Sequence, residues 1–191
     1  MSRTGRIYLT GMMGSGKTTL GRRAADVLSR SFVDLDDLIE LEAGLSVPEI
    51  FATQGEEAFR RIESEVLRAH SDSTNVIIAL GGGTLLDEAN QKFVLQSGTL
   101  VYLSLSEKML TQRLRSAAAA SRRKRPLLLN TLLLTDQDCG PDAATFDEHI
   151  QRLRKARLPG YECARLKVDV GGCSEKTALT RLLDSISAMG E

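Results

Sequence analysis

The sequence predicts an α/β fold, a three-layer sandwich with a central five-stranded parallel sheet between layers of helices. Two observations support this prediction. Five short apolar runs alternate with segments of helical periodicity along the whole chain. The runs are continuously apolar, as is typical of parallel strands covered on both faces. The length of 191 residues, 42% of them hydrophobic, suits one domain of ordinary composition, so we expect a single domain over residues 1–191.

The elements follow from these patterns in chain order. The predicted strands are the apolar runs Ile7–Thr10, Ser31–Asp34, Asn75–Leu80, Thr99–Ser104 and Leu166–Val170. Apolar residues at spacings of three and four predict helices between them. Three such stripes are Leu20, Ala24, Val27 and Leu28; Phe59, Ile62, Val66 and Leu67; and Leu179, Leu182, Leu183 and Ile186. Capping boxes at Ser46–Glu49 and Thr145–Glu148 predict the starts of two helices.

The most specific motif lies between the first strand and the first helix. Gly11–Thr18 reads Gly-Met-Met-Gly-Ser-Gly-Lys-Thr and matches the phosphate-loop pattern G-x-x-x-x-G-K-[ST] at every fixed position. An ordinary glycine turn is the alternative, which the flanking strand and helix disfavour. We expect Lys17 to bridge the β- and γ-phosphates of a nucleotide and the Thr18 hydroxyl to be a ligand of Mg²⁺. The predicted nucleotide contacts in this region are Gly14, Ser15, Gly16, Lys17, Thr18 and Thr19.

Acidic residues follow the second predicted strand and glycines follow the third, at the sheet edge where ligands collect. Asp34 and Asp36, two apart in extended chain, are expected to point the same way. Such a pair can support a hydrated Mg²⁺ and hold a substrate hydroxyl. We expect a helix to begin at Asp37, and capping of that helix by Asp36 or Asp37 is the alternative role. Gly81–Gly83 suits close approach of a ligand to the backbone or, equally, a tight turn.

Together these motifs resemble the shikimate kinase family, over residues from about 6 to about 187. The matching motifs are the phosphate loop at Gly11–Thr18, D-x-D at Asp34-Leu35-Asp36, F-R-R-x-E at Phe59-Arg60-Arg61-Ile62-Glu63, the triple glycine at Gly81–Gly83, the lid motif R-P-L-L at Arg125-Pro126-Leu127-Leu128, and the late Arg157-Leu158-Pro159-Gly160-Tyr161. Their joint occurrence is highly specific, because a generic phosphate-loop kinase shares only the first. The resemblance implies a fold of the phosphate-loop kinase type with a lid segment at residues 113–145.

The resemblance also implies a reaction, transfer of the γ-phosphoryl group of ATP to the 3-hydroxyl of shikimate with Mg²⁺ as cofactor. The product feeds chorismate and aromatic amino acid biosynthesis. In this interpretation Lys17, Asp36 and Arg125 are catalytic, with Asp36 holding the attacking hydroxyl and Arg125 at the transferred phosphoryl group. The metal would lie beside Thr18 and be held through water by Asp34.

The residues implied to bind shikimate are Asp36, Phe51, Phe59, Arg60, Glu63, Gly82, Gly83 and Arg157. Arg60 and Arg157 would grip the carboxylate, since guanidinium groups form forked hydrogen bonds to carboxylates. Glu63 would orient these arginines, the two phenylalanines would form an apolar wall, and the two glycines would offer backbone N–H groups.

One assignment remains open after the fourth strand. Arg115 is the best positional match for an arginine lying against adenine, and Arg113 is the alternative. The basic run from Arg113 to Arg125 contains no aromatic residue that could stack on bases, and the net charge is +0, so we expect no nucleic-acid partner. The segment from Leu127 to Ala144 is longer than in most of the family, and the sequence predicts no structure for it.

Composition limits the remaining classes of function. Cys139, Cys163 and Cys173 show no C-x-x-C spacing, which indicates reduced thiols, and no apolar run reaches membrane-spanning length. The predicted first strand begins within a few residues of Met1, so we expect no signal or transit peptide unless one was already removed. We therefore expect a cytoplasmic monomer whose partners are ATP and shikimate, with no membrane partner. The alternatives are a related kinase of the gluconate type and a catalytically silent kinase-like binding module; the second has no physical need for residues such as Lys17 and Arg125.

Overall fold

The computed structural model describes residues 5–70, 73–121 and 146–189. Within these ranges the chain alternates between strands and helices, as predicted. The elements are β1 (Arg6–Thr10), α1 (Lys17–Val27), β2 (Ser31–Asp34), α2 (Leu35–Ala43), α3 (Val47–Ala69), β3 (Val76–Ala79), a 3₁₀ turn (Thr84–Leu86), α4 (Glu88–Ser97), β4 (Thr99–Ser104), α5 (Glu107–Ser121), α6 (Phe146–Glu162), β5 (Leu166–Asp169) and α7 (Glu175–Ser187).

The five strands form one parallel sheet in the order β2-β3-β1-β4-β5. The predicted α/β class and the parallel five-stranded sheet are confirmed, and every predicted strand lies within one residue of the observed bounds. Strand β1 is central, with Tyr8 paired to Ile78 of β3 and to Leu100 of β4. The chain continues from β1 to β2 and β3 on one side of it and then crosses to β4 and β5 on the other side. Such a change of direction leaves a crevice at the carboxyl end of β1, where the phosphate loop begins.

Helix α1 departs from its predicted apolar face. Val27 is 61% exposed, so its place in the buried stripe was wrong. Leu20 and Ala24 of the predicted stripe are buried as expected, and Gly21 and Ala25 complete the buried face. A Cβ at Gly21 would lie 2.6 Å from the ring of Phe32, so only a residue without a side chain allows this close contact between the helix and the sheet. Because the face that contains Gly21 packs on the sheet, Val27 points away from it. A pattern of large apolar residues does not reveal a contact made by glycine.

Helices α2 and α3 carry the next part of the crevice. Helix α2 begins at Leu35, with Asp34 as its N-cap, and not at Asp37 as predicted. The capping box at Ser46–Glu49 is confirmed: the Ser46 backbone N–H donates to Glu49 Oε2 at 2.8 Å, and the Glu49 N–H donates to Ser46 Oγ at 3.4 Å. Helix α3 is interrupted at Gly55, where φ is 82° and ψ is 175°. The second predicted box begins at Thr145, which lies outside the described residues.

The buried core lies on both faces of the sheet, and Ile7, Tyr8 and Leu9 of β1 are at most 1% exposed. The apolar stripes predicted for α3 and α7 contribute to it, with Phe59, Val66, Leu67, Leu182 and Ile186 buried. No helix in the described part of the chain is both long and apolar enough to cross a membrane.

Candidate active site

The loop between β1 and α1 presents backbone N–H groups to the crevice. Gly11, Gly14 and Gly16 have φ values of 142°, 78° and 95°, a region that favours glycine. Helix α1 begins at Lys17 without a side-chain cap and without an acidic residue in its first turn. Its first N–H groups and the positive end of its dipole are therefore available to an anion. This geometry suits a phosphate group.

Lys17 folds back over this loop. Its Nζ donates to the backbone oxygens of Gly11 at 2.8 Å and Met12 at 3.3 Å. Burial lowers the pKa of Lys17 from 10.5 to about 8, although the carboxylates of Asp36 and Asp34 act in the opposite direction. The side chain is thus an ammonium group at neutral pH, and because it is poorly hydrated it can interact strongly with a phosphate.

Asp34 connects the loop to helix α2. Its Oδ2 accepts a hydrogen bond from Thr18 Oγ1 at 2.6 Å, and its Oδ1 accepts one from the Asp36 N–H at 3.2 Å. Asp34 is therefore the helix cap, and the alternative role of Asp36 or Asp37 as that cap was wrong. The carboxylate and the hydroxyl form a pair of oxygen donors at the edge of the loop.

Asp36 lies in the first turn of α2 rather than in extended chain, and it lines the same cavity as Lys17. Asp36 keeps contact with water as an exposed residue, but it lines a concave wall that reduces the hydration of its carboxylate. This partial loss of hydration is the main reason why the pKa of Asp36 is raised from 3.8 to about 6, and the negative charges of Asp34 and Glu63 raise it further. A carboxylate with such a pKa is suited to accept a proton near neutral pH.

The triple glycine makes room for charged side chains. A Cβ on Gly82 would lie 3.0 Å from Arg157 Nη1, and one on Gly83 would lie 2.7 Å from Arg60 Nη2. Neither Gly82 nor Gly83 is among the described glycines that have a positive φ. Space, and not backbone conformation, therefore explains the absence of side chains here. Two guanidinium groups from different helices approach the same short stretch of backbone.

Arg60 and Arg157 reach this stretch in different ways. Arg60 of α3 pairs with Glu63 at 2.8 Å and with Glu56 at 3.1 Å, and its guanidinium lies 5.2 Å from the centre of the Phe59 ring. Arg157 of α6 is buried, and its Nε has no hydrogen-bond partner among the described residues. Two such cations in one cavity favour a carboxylate ligand.

An aromatic wall completes the cavity on the side of α3. The rings of Phe51 and Phe59 lie 4.6 Å apart at their centres. In an uninterrupted helix these residues would be separated by about 12 Å along the axis. The break at Gly55 brings the two rings together, which the sequence pattern alone does not show.

The cavity has a volume of about 510 Å³ and brings most of the predicted site together. The predicted residues on its wall are Gly14, Gly16, Lys17, Thr18, Thr19, Asp34, Asp36, Phe51, Phe59, Arg60, Glu63, Gly82, Gly83 and Arg157. Sequence reasoning missed Val47 and Leu80, because their apolar side chains give the same signal as core residues. Arg125 lies outside the described residues.

A second cavity of about 200 Å³ adjoins the other side of the phosphate loop. Ser15, Arg113, Val170 and Cys173 are among the residues on its wall. Arg113 donates to the backbone oxygens of Gly14 at 3.3 Å and Val170 at 3.1 Å. Arg115 instead pairs with Asp147 at 2.6 Å, away from the loop. Of the two candidates, Arg113 is the arginine beside the phosphate loop.

Comparisons with known proteins agree with this geometry. The shikimate kinase family model matches residues 13–187. The chain is 36% identical over 189 residues to the shikimate kinase of Salinibacter ruber, covering 97% of this chain and 86% of that protein. It is 34% identical over 186 residues to the shikimate kinase of Symbiobacterium thermophilum, covering 97% and 98%.

Solved structures give the same picture. The shikimate kinase of Acinetobacter baumannii in complex with shikimate superposes with a TM-score of 0.79 at 31% identity, covering 97% of this chain and 94% of that chain. A gluconokinase from Sinorhizobium meliloti superposes with a TM-score of 0.61 at 16% identity, covering 99% and 95%, a likeness that shows the fold alone.

Proposed function

Because this chain belongs to the shikimate kinase family, we propose that its cavity binds ATP and shikimate side by side for phosphoryl transfer to the 3-hydroxyl. The protein is an ATP-dependent phosphotransferase of the shikimate pathway, which leads to chorismate and the aromatic amino acids. The observation that carries the site assignment is the convergence of Lys17, Asp36, Arg60 and Arg157 on one cavity.

The substrate end of the cavity matches the chemistry of shikimate, a small ring with one carboxylate and three hydroxyls. Arg60 and Arg157 supply the cations for the carboxylate, and Phe51 with Phe59 supplies an apolar face for the ring. Gluconate has a carboxylate but no ring, so the apolar wall formed by the two phenylalanines favours shikimate. Asp36 lines the same cavity as these groups and the phosphate loop, and there it can hold the attacking hydroxyl and accept its proton.

The nucleotide end uses the loop and the first turn of α1. Backbone N–H groups and Lys17 would hold the phosphates, and Arg113 would border the base in the second cavity. From the sequence motif we assign Arg125 to the transferred phosphoryl group. We also propose a monomer in the cytoplasm; reduced cysteines support the cytoplasmic location.

Thr18 and Asp34 fit a Mg²⁺ ion that is bound together with the phosphates. Both offer hard oxygen donors, and their oxygens lie 2.6 Å apart beside the loop. In the described ranges no group of three or more His, Cys, Asp or Glu is arranged to hold a metal. Mg²⁺ needs none here, since it keeps water and phosphate ligands; when bound, it would neutralise charge on the β- and γ-phosphates.

The test of this function is ADP release from ATP and Mg²⁺ with shikimate, gluconate or no acceptor. We expect turnover with shikimate to exceed turnover with gluconate by far, and ADP formation without an acceptor to remain near background. Omission of Mg²⁺ should abolish the shikimate-dependent rate. Equal rates with and without shikimate would contradict the proposed function.

A separate expectation distinguishes the two lid arginines. Arg113→Ala should raise the KM for ATP on the order of 10-fold, because a cation beside the phosphate loop is lost. Arg115→Ala is the matched control and should change it less than about twofold, because an exposed ion pair contributes little. Steady-state kinetics with varied ATP gives both values, and the reverse order would return the adenine contact to Arg115.

A further inference from the structure

A threonine directly after the triple glycine makes the most buried polar contact near the site. Thr84 is 0% exposed and Glu63 is 1% exposed. The Thr84 hydroxyl lies 2.6 Å from Glu63 Oε1 and 3.1 Å from the backbone oxygen of Gly81. A hydroxyl has one proton, and the shorter distance together with the negative charge favours donation to Glu63. None of the sequence motifs includes Thr84.

The two oxygens of Glu63 therefore have different partners. Oε1 accepts from the Thr84 hydroxyl, and Oε2 accepts from Arg60 Nη1 at 2.8 Å. A buried carboxylate that is bound at both oxygens has one orientation, and its position fixes the guanidinium that it holds. Arg60 is bound at the same time by Glu56, whose Oε1 accepts from Nε and Nη2 and whose side chain is 45% exposed at the rim.

Thr84 is itself held from the other side. Its backbone oxygen accepts a hydrogen bond from Asn90 Nδ2 at 3.4 Å, and the Asn90 N–H donates to Asp87, the N-cap of α4, at 2.8 Å. A Cβ on Gly81 would lie 2.9 Å from Glu63 Oε1 and 3.0 Å from Thr84 Oγ1, so a side chain there would disturb this contact. The hydroxyl thus has a fixed position behind the cavity wall.

We propose that Thr84 is a positioning residue, which holds Glu63 so that Arg60 faces the substrate carboxylate and not the rim. This inference rests on the proposed function, in which Arg60 binds the carboxylate of shikimate. Thr84 lies behind Glu63 and acts through it, so its loss affects the binding of shikimate and spares the binding of ATP.

The test compares variants that keep or remove the hydroxyl. Thr84→Val keeps the shape of the side chain, and we expect the KM for shikimate to rise about 10-fold or more, because a hydrogen bond to a buried charge is lost. The KM for ATP should stay within about twofold. Thr84→Ser should restore the wild-type KM for shikimate, because it retains the donor.

Thr10→Val is a matched control. Thr10 is also 0% exposed, and its hydroxyl has no hydrogen-bond partner in the described part of the chain. Removing that hydroxyl should leave the KM for shikimate unchanged. A general effect of losing a buried threonine would appear in both valine variants.

The outcomes separate this inference from the function on which it rests. Wild-type protein without shikimate-dependent turnover overturns the proposed function. Normal wild-type turnover with an unchanged KM for shikimate in folded Thr84→Val overturns only the role of Thr84. Equal increases in both KM values, without rescue by serine, indicate a merely structural role and also overturn it. If the valine variant does not fold, Thr84→Ser decides, since a 10-fold higher KM for shikimate despite the retained hydroxyl contradicts the proposal.

Discussion

Asp36→Asn is expected to lower kcat about 10²–10⁴-fold, as for loss of a general base, with the KM for ATP nearly unchanged. The amide keeps the size of the side chain but cannot accept the proton of the attacking hydroxyl. The residue lies in the first turn of α2, on the cavity wall and not in the phosphate loop, so the nucleotide end should remain intact. Initial rates of ADP formation with varied shikimate and varied ATP measure both quantities.

The same carboxylate should set the acidic side of the pH profile. Burial and the neighbouring carboxylates raise the pKa of Asp36 to about 6, so the ionised form that can act as base is lost as the pH falls through about 6. We expect kcat/KM for shikimate to decline in this range in the wild type, and Asp36→Asn to lack that decline.

Asp37→Asn is the control for this prediction. Asp37 is an exposed neighbour on the same helix turn and does not line the cavity. Its replacement should leave kcat and the acidic limb as in the wild type. Full activity in folded Asp36→Asn would remove Asp36 from the catalytic set.

Lys17→Ala is expected to lower kcat about 10²–10³-fold, the size of effect seen when one preorganised donor to a developing negative charge is removed. The ammonium group in the cavity already points at loop atoms around the phosphate site, so little reorganisation is needed when phosphate arrives. Burial lowers the pKa of Lys17 to about 8, and its charge is lost as the pH rises through that value. In the wild type, kcat/KM should therefore also decline above about pH 8.

Lys167→Ala serves as the matched control for this lysine. Lys167 lies on β5, is 60% exposed and pairs with Glu162 at 3.9 Å. It lies outside both cavities that border the phosphate loop. Its replacement should leave kcat within about twofold. Near-normal kcat in folded Lys17→Ala would contradict the assignment of Lys17 to the phosphates.

The sequence predicts those parts of the molecule in which the residue types themselves require a particular backbone structure. Continuous apolar runs predict the strands because both faces of the sheet are covered, and Gly11–Thr18 predicts the phosphate loop because its glycines are needed for positive φ. The carboxylate Asp36 and the arginines that line the cavity could also be named in advance.

The contacts that sequence reasoning missed depend on packing between distant elements. Gly21 allows α1 to pack closely on the sheet, with Val27 on the outward face. A search for apolar residues at helical spacing does not count glycine, so it misses this contact. Thr84 resembles any buried threonine until the position of Glu63 is known. The choice between Arg113 and Arg115 depends on which helix face meets the loop, and a shift of two residues decides it.

The prediction for Arg125 concerns a residue outside the described ranges. It remains a prediction that rests on the R-P-L-L motif. Kinetics of variants at Arg125 would test it directly, since its assigned place is at the transferred phosphoryl group.

The interruption of α3 at Gly55 makes the helix less regular but gives the cavity its aromatic wall. Nothing lies within 4 Å of a Cβ built on Gly55, so crowding does not demand glycine there; its φ of +82° does. In a regular helix, alanine would be more favourable than glycine by about 1 kcal/mol. An engineer who ranks sequences by helix propensity would therefore replace Gly55 first. The straighter helix would separate Phe51 from Phe59 and remove the wall to which we assign the preference for a ring over an open chain.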